Sequence, residues 1–250
     1  MRDRYIAEKM IIVTTSWDDG HPLDLRLANL LCKYGLYGTF YVPLKYKGHN
    51  IINSNEINYM RKIGMEIGSH TLTHPDLTKL PKKLVFKELI ESKQLLEDIL
   101  GEAVSSFCYT NGRSNRTVRS QVVEAGYTLA RTTASFRMET NFNPFYMPVS
   151  FQFYPHTTAT HIRHTLKEAN MKGIVNWIKS LKMETDLSKL SDVIFNHILQ
   201  HGGIFHVWGH SWEIERFSLW NSLEKMLNHI ANRHGVKYLT NSQTLESIKQ

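Results

Sequence analysis

The sequence predicts an α/β protein built on a parallel sheet, as one domain spanning residues 1–250. Three observations carry that expectation. Short β-branched or aromatic runs alternate with longer amphipathic segments, the pattern of repeated strand–helix units. Glycine or proline marks many of the junctions. Polar residues follow the apolar runs, as they do where a parallel sheet delivers its chemistry to the carboxyl ends of its strands.

The elements follow in order. Residues 11–16 are β-branched and apolar, a buried strand. Leucines at helical spacing run over 23–34 and stop before Gly35. A second strand over 37–42 ends at Pro43. Asn53 and Glu56 form a capping box opening a helix to Lys62, which Gly64 ends. Residues 65–69 are a short third strand, and 81–100 a long helix with Pro81 in its first turn. A strand over 104–109, a helix over 114–125 stopped by Gly126, and a strand over 127–132 come next. The segment 135–161 carries Pro144, Pro148 and Pro155 and reads as loop with short strands. Helical segments over 162–180 and 187–201, a strand over 204–208, a helix over 219–233 and a strand over 236–239 complete the pattern.

Composition narrows the function classes. Of 250 residues 42% are hydrophobic and 21% charged, ordinary for a soluble domain with a sizeable core. The net charge of +7 admits an anionic partner. No block of like charges and no nucleic-acid-binding signature is present, so a solvated basic surface is the expectation. Two cysteines, Cys32 and Cys108, cannot make a disulfide framework. No apolar run reaches the length of a membrane span. Residues 1–10 are charged and lack an apolar leader core, which predicts a cytoplasmic protein.

The strand ends carry the chemistry. Asp18, Asp19 and Gly20 follow the first strand. Adjacent carboxylates on extended backbone point to opposite sides, so one can ligate a metal while the other faces substrate. His70 and His74 follow the third strand at i, i+4 spacing, and imidazole is the commonest zinc ligand. With Asp19 they form a two-histidine, one-carboxylate set open to zinc, iron, cobalt or manganese. His206, Trp208 and His210 share one face of the later strand. At the rim, His210 suits a general acid; His206, lying deeper, suits a neutral histidine donating to a backbone carbonyl. Arg131 ends the fifth strand, and Tyr109 the fourth.

These residues together resemble the polysaccharide deacetylases of the NodB-homology type, carbohydrate esterase family 4. Ser16-Trp17-Asp18-Asp19-Gly20 resembles the family's (S/T)-F-D-D-G, Ser69-His70-Thr71-Leu72-Thr73-His74 its S-H-(S/T)-x-x-H, and the run ending at His210 its catalytic-histidine motif. The resemblance implies a distorted (β/α) barrel of about seven parallel strands. It implies one divalent ion, usually zinc, on Asp19, His70 and His74, with Asp18 as general base and His210 as general acid. The substrate class it implies is an N-acetylated sugar or glycan. The third motif departs from the family: Phe107-Cys108-Tyr109-Thr110-Asn111-Gly112 has threonine for proline and no leading arginine. Many members use that arginine to pair with the base aspartate, and Arg131 is placed to take over the role.

Such a site would hydrolyse an amide. A bound ion lowers the pKa of its water and polarises the acetyl carbonyl. The backbone N–H of Tyr109 is the expected oxyanion donor. Glu213, three residues on, is the candidate carboxylate partner of His210. Trp17, Tyr109, Trp208 and Trp212 offer aromatic faces to a sugar ring. Another amidohydrolase, allantoinase-like, or an acetyl-ester hydrolase would use the same scaffold. A silent glycan-binding module has no evident need for both Asp18 and His210.

Overall fold

The computed structural model describes residues 9–249; the charged start over residues 1–8 lies outside them. β1 (Ile11–Asp18), α1 (Asp24–Lys33), β2 (Gly38–Val42), α2 (Ser54–Lys62), β3 (Glu66–Ser69), α3 (Lys82–Leu100), β4 (Ser106–Cys108), α4 (Arg116–Glu124) and β5 (Leu129–Arg131) alternate strictly. β6 (Phe151–Gln152), α5 (Thr158–Lys167), α6 (Met171–Lys179), α7 (Leu187–His201) and β7 (Gly203–Gly209) follow. α8 (Ser211–Arg216), α9 (Trp220–Ile230), β8 (Lys237–Tyr238) and α10 (Asn241–Lys249) close the described chain.

Seven parallel strands run in the order β5-β4-β3-β2-β1-β7-β6, curling into a distorted half-barrel surrounded by helices. β7 takes one edge of β1 from Ile11 to Trp17. The other edge is shared: β8 pairs at Ile12 and Val13, and β2 from Thr15 to Asp18. Helical stripes close over the sheet, with Leu89 and Leu96 of α3, Ile194 and Phe195 of α7 and Leu223 and Leu227 of α9 buried against Trp17, Phe40, Phe107 and Phe205.

Local signals set most boundaries. Both halves of the capping box form: Asn53 Oδ1 accepts from the amides of Asn55 and Glu56, and the Glu56 carboxylate accepts from the amide of Asn53 at 2.7 Å. Three elements differ from expectation. The segment 162–180 is two helices, α5 beginning earlier at Thr158, because Ala169 turns left-handed (φ 50°) and Asn170 caps α6 at the Gly173 amide. α8 directly follows His210, and α10 extends the chain past the last strand. α10 is fixed by tertiary bonds from Asn241, which accepts from Thr14 Oγ1 and donates to Tyr41 Oη, each at 2.9 Å.

Register aligns the strand ends. Asp18 lies opposite Tyr41, Val42 opposite Ser69, Ser69 opposite Phe107, Cys108 opposite Arg131 and Trp17 opposite Gly209. Asp18, His70, Cys108, Arg131 and His210 therefore reach one rim.

Candidate active site

β1 stays extended through Asp18, and the chain then reverses through two left-handed residues, Asp19 (φ 78°) and Gly20 (φ 59°). A Cβ on Gly20 would lie 2.9 Å from Val42 Cγ1, so the turn requires glycine. This reversal gives the two consecutive carboxylates different neighbours. The histidine loop is similarly bent, with Thr71 at φ 69° and His74 at φ 59°. Such residues cost of order 1–3 kcal/mol each and persist where surrounding bonds over-determine them. Here Thr71 Oγ1 accepts from the His74 amide, and the Glu88 carboxylate of α3 accepts from the amides of Leu72 and Thr73 and from Thr73 Oγ1. Glu88 was not singled out by the sequence; a glutamate inside a long amphipathic helix carries no signal of its own.

Asp19, His70 and His74 bring three ligand atoms together. Asp19 Oδ1 lies 3.8 Å from His70 Nε2 and 3.4 Å from His74 Nε2, and the two nitrogens are 3.2 Å apart. Ligands about 2.0–2.1 Å from one tetrahedral ion stand about 3.3–3.4 Å apart, so these separations fit a zinc-sized ion. His70 Nδ1 donates to the Cys108 carbonyl at 2.9 Å, leaving Nε2 bare. Burial and the neighbouring His70 hold His74 down at about 4, and burial lowers His70 too, so both rings are neutral as ligands must be. A second group, Asp18, His70 and Cys108, is also close enough. Its chemistry fits less well: burial holds the Cys108 thiol protonated and Arg131 already neutralises Asp18.

Asp18 sits on a buried ion pair. Arg131 is fully buried and donates from Nη2 to Asp18 Oδ1. Its guanidinium lies 4.8 Å from the Trp208 ring centroid and 5.3 Å from that of Tyr41. Burial alone would raise the Asp18 carboxyl; the Arg131 charge and its hydrogen bond, with smaller contributions from His70 and His210, together outweigh it and hold Asp18 below its ordinary range.

His210 closes the opposite side. Its Nδ1 donates to Glu213 Oε2 at 2.6 Å, a pairing that α8 creates by placing Glu213 one turn on. Its Nε2 lies 3.8 Å from Asp19 Oδ2, the oxygen turned away from His70 and His74. Burial would lower His210, but Glu213, Asp19 and Asp18 together push it up to about 9. Gln152 extends the network, donating to Glu213 at 3.1 Å and accepting from His156 at 2.9 Å. Trp212 Nε1 donates to Asp19 Oδ2 at 3.1 Å.

A cleft of about 690 Å³ joins these groups. Asp18, Asp19, His70, His74, His210, Trp208 and Trp212 line it, and Arg131 lies beneath Asp18. Two expectations need correction. Trp17 is buried in the core with Nε1 on Thr15 Oγ1, because the strand face it occupies points away from the cleft. Tyr109 is buried too: its hydroxyl donates to the Phe145 carbonyl and its amide to the Arg131 carbonyl at 3.3 Å, so that N–H is committed to the sheet rather than to an oxyanion. His206 is buried between Ser16 Oγ and the Pro148 carbonyl and held down at about 3, mainly by burial.

A sequence model of the family described as polysaccharide deacetylase matches residues 6–130, half of the chain, and the chain belongs to that family. It is similar to the Bacillus subtilis protein YxkH, 28% identical over 134 residues covering 53% of this chain and 47% of that protein. It is also similar to a chitin deacetylase of Arthroderma benhamiae, 33% identical over 94 residues covering 37% of this chain and 24% of that one. The matched segment thus spans less than half of either relative. Among solved structures, a Mycobacterium smegmatis protein superposes with a TM-score of 0.65 at 15% identity over 98% of this chain and 92% of that one. The Xyl-CE4 domain of a xylanase from a Trinervitermes trinervoides hindgut metagenome gives 0.59 at 14% identity over 95% and 91%. At those identities the superpositions establish the fold.

Proposed function

We propose that this chain removes an N-acetyl group from an amino sugar of a glycan or glycan precursor, with one divalent ion, zinc as the family resemblance has it, on Asp19, His70 and His74. One observation carries the reading: a single cleft holds a ligand triad, a carboxylate kept ionised beside it, and a histidine kept protonated across from it.

The ion, when bound, supplies an acidified water and a polarised acetyl carbonyl. Asp18, held ionised by Arg131, accepts the proton of the attacking water. His210 gives a proton to the departing nitrogen from Nε2, while Glu213 fixes the ring through Nδ1 and stabilises its positive charge. Gln152 keeps the Glu213 carboxylate turned to His210. Trp208 and Trp212 supply aromatic walls for the sugar ring. With the Tyr109 amide engaged in the sheet, no backbone donor at that position contributes to oxyanion stabilisation.

The test is metal analysis of the purified chain followed by acetate release from N-acetylated sugars, acetyl esters and ureides. The reading expects one equivalent of divalent metal and acetate from the N-acetyl sugars, abolished by a chelator. Turnover confined to the esters or ureides reassigns the substrate, and a metal-free active protein overturns the reading. The proposal places the protein in the cytoplasm, which cell fractionation checks.

A further inference from the structure

Six of the twelve large apolar side chains exposed among the described residues fall between Ile162 and Met183. They are ordered. On α6, Met171, Val175 and Ile178 recur at i, i+4 and i+7, while Gly173 and Trp177 on the opposite side are buried. On α5, Ile162 and Leu166 stand at i, i+4, while His161 and Thr165 turn inward. Leu166, Met171 and Ile178 are 57%, 61% and 51% exposed. The two helices pack on each other, so the stripes belong to one helical hairpin.

The charge around these stripes is one-sided. Arg163, Lys167, Lys172, Lys179 and Lys182 are all exposed. Lys172 pairs with Glu139 at 3.1 Å; the other four have no ion-pair partner among the described residues. The acid between the two helices, Glu168, and the next one along the chain, Glu184, are engaged elsewhere. Glu168 accepts from Thr133 Oγ1, and Glu184 accepts from the amides of Thr185 and Asp186 at 2.9 Å. An apolar stripe beside free cations, on helices of only ten and nine residues, matches an element lying in a bilayer interface rather than crossing it. A second copy of this chain is a poor occupant, since face-to-face packing would juxtapose the lysine rows. Among the described residues no helix is long and apolar enough to span a membrane, which agrees with surface docking.

We propose that the α5–α6 face docks on an anionic phospholipid surface, its apolar side chains entering the headgroup–acyl boundary and its lysines meeting lipid phosphates. His161, His164 and Thr165 of the same α5 line the catalytic cleft, so docking sets the cleft beside the membrane. Docking does not depend on the deacetylase reading, because vesicle binding and acetate release are separate measurements.

The experiment is flotation of the full chain with vesicles of phosphatidylcholine alone or with about one-quarter phosphatidylglycerol. Binding is expected on the anionic vesicles, weaker on the neutral ones, and reduced by salt. The double variant Val175→Glu, Ile178→Glu should lose at least about tenfold in partitioning. Lys179→Glu and Lys182→Glu should each lose about fivefold. Acetate release from a soluble substrate should be unchanged in all three. Equal partitioning of wild type and variants, or none on anionic vesicles, overturns the proposal. A wild-type dimer that the double variant converts to monomer gives the face to a second copy and also overturns it. Should the double variant fold poorly by circular dichroism, the two surface lysine variants still decide the outcome.

Discussion

Arg131, at the end of β5, reaches through the buried rim to donate to Asp18 at the end of β1. The two residues are 113 positions apart in sequence and separated by three strands in the sheet. This pair governs the charge of the proposed base. Arg131→Met should leave Asp18 buried without its counter-charge and destabilise the fold by about 3–5 kcal/mol, the usual result of breaking a buried pair from one side. In the folded variant the Asp18 pKa should rise, moving the acid limb of acetate release to higher pH. Thermal unfolding and a pH–rate profile check both. An unmoved acid limb would detach Asp18 from the base role. In the wild type, Asp18 is depressed by folding, so its contribution is present above its unfolded pKa and lost as pH falls through the folded one.

His74→Ala and Asp19→Ala should each abolish stoichiometric zinc, because each removes one corner of a three-ligand set. Cys108→Ser should keep the metal, since it is the Cys108 carbonyl, not the thiol, that holds His70. Elemental analysis of the three variants reads this directly. Loss of metal in Cys108→Ser alone would transfer the site to the Asp18, His70 and Cys108 group.

Glu213→Gln should pull down the alkaline limb of acetate release. His210 stands at about 9 against an ordinary 6.5, so its protonated form contributes stability fully below about pH 6.5, lost as pH rises through 9. Removing the carboxylate brings that limb back toward neutrality. His210→Ala should cut amide hydrolysis by roughly 10²–10⁴ while sparing metal content. An activated acetyl ester should suffer less, as its leaving group needs no proton. Equal losses on amide and ester would argue against proton donation by His210.

His206 gives a stability signature of opposite sign. Held at about 3, it must stay neutral when folded, so its contribution is complete above about pH 6.5 and declines as pH falls and the unfolded chain takes up a proton. The slope from this one group is at most about 1.4 kcal/mol per pH unit. His206→Gln should reduce the fall in unfolding temperature between pH 7 and pH 5 without moving the pH–rate profile. A selective loss of turnover would instead give His206 the acid role.

The sequence by itself determined the parallel α/β order, because periods of 2 and 3.6 residues and capping signals such as Asn53 and Glu56 are local properties. It also marked Asp18, Asp19, His70, His74 and His210 as a set, since strand ends carry their side chains to one rim in any parallel sheet. Tertiary structure decided what local pattern leaves open. The direction of Trp17 depends on which strand face the barrel closes over, and the Tyr109 amide was committed by its pairing with β5. Glu88, Gln152 and the pairing of Trp212 with Asp19 arise from contacts 15 to 193 residues apart, which no short-range signal encodes. Asp18 and Arg131 acquire their shifted pKa values only when folding removes both from water, because burial and the charged groups that folding brings beside them, each the other's foremost, set those energies rather than residue type.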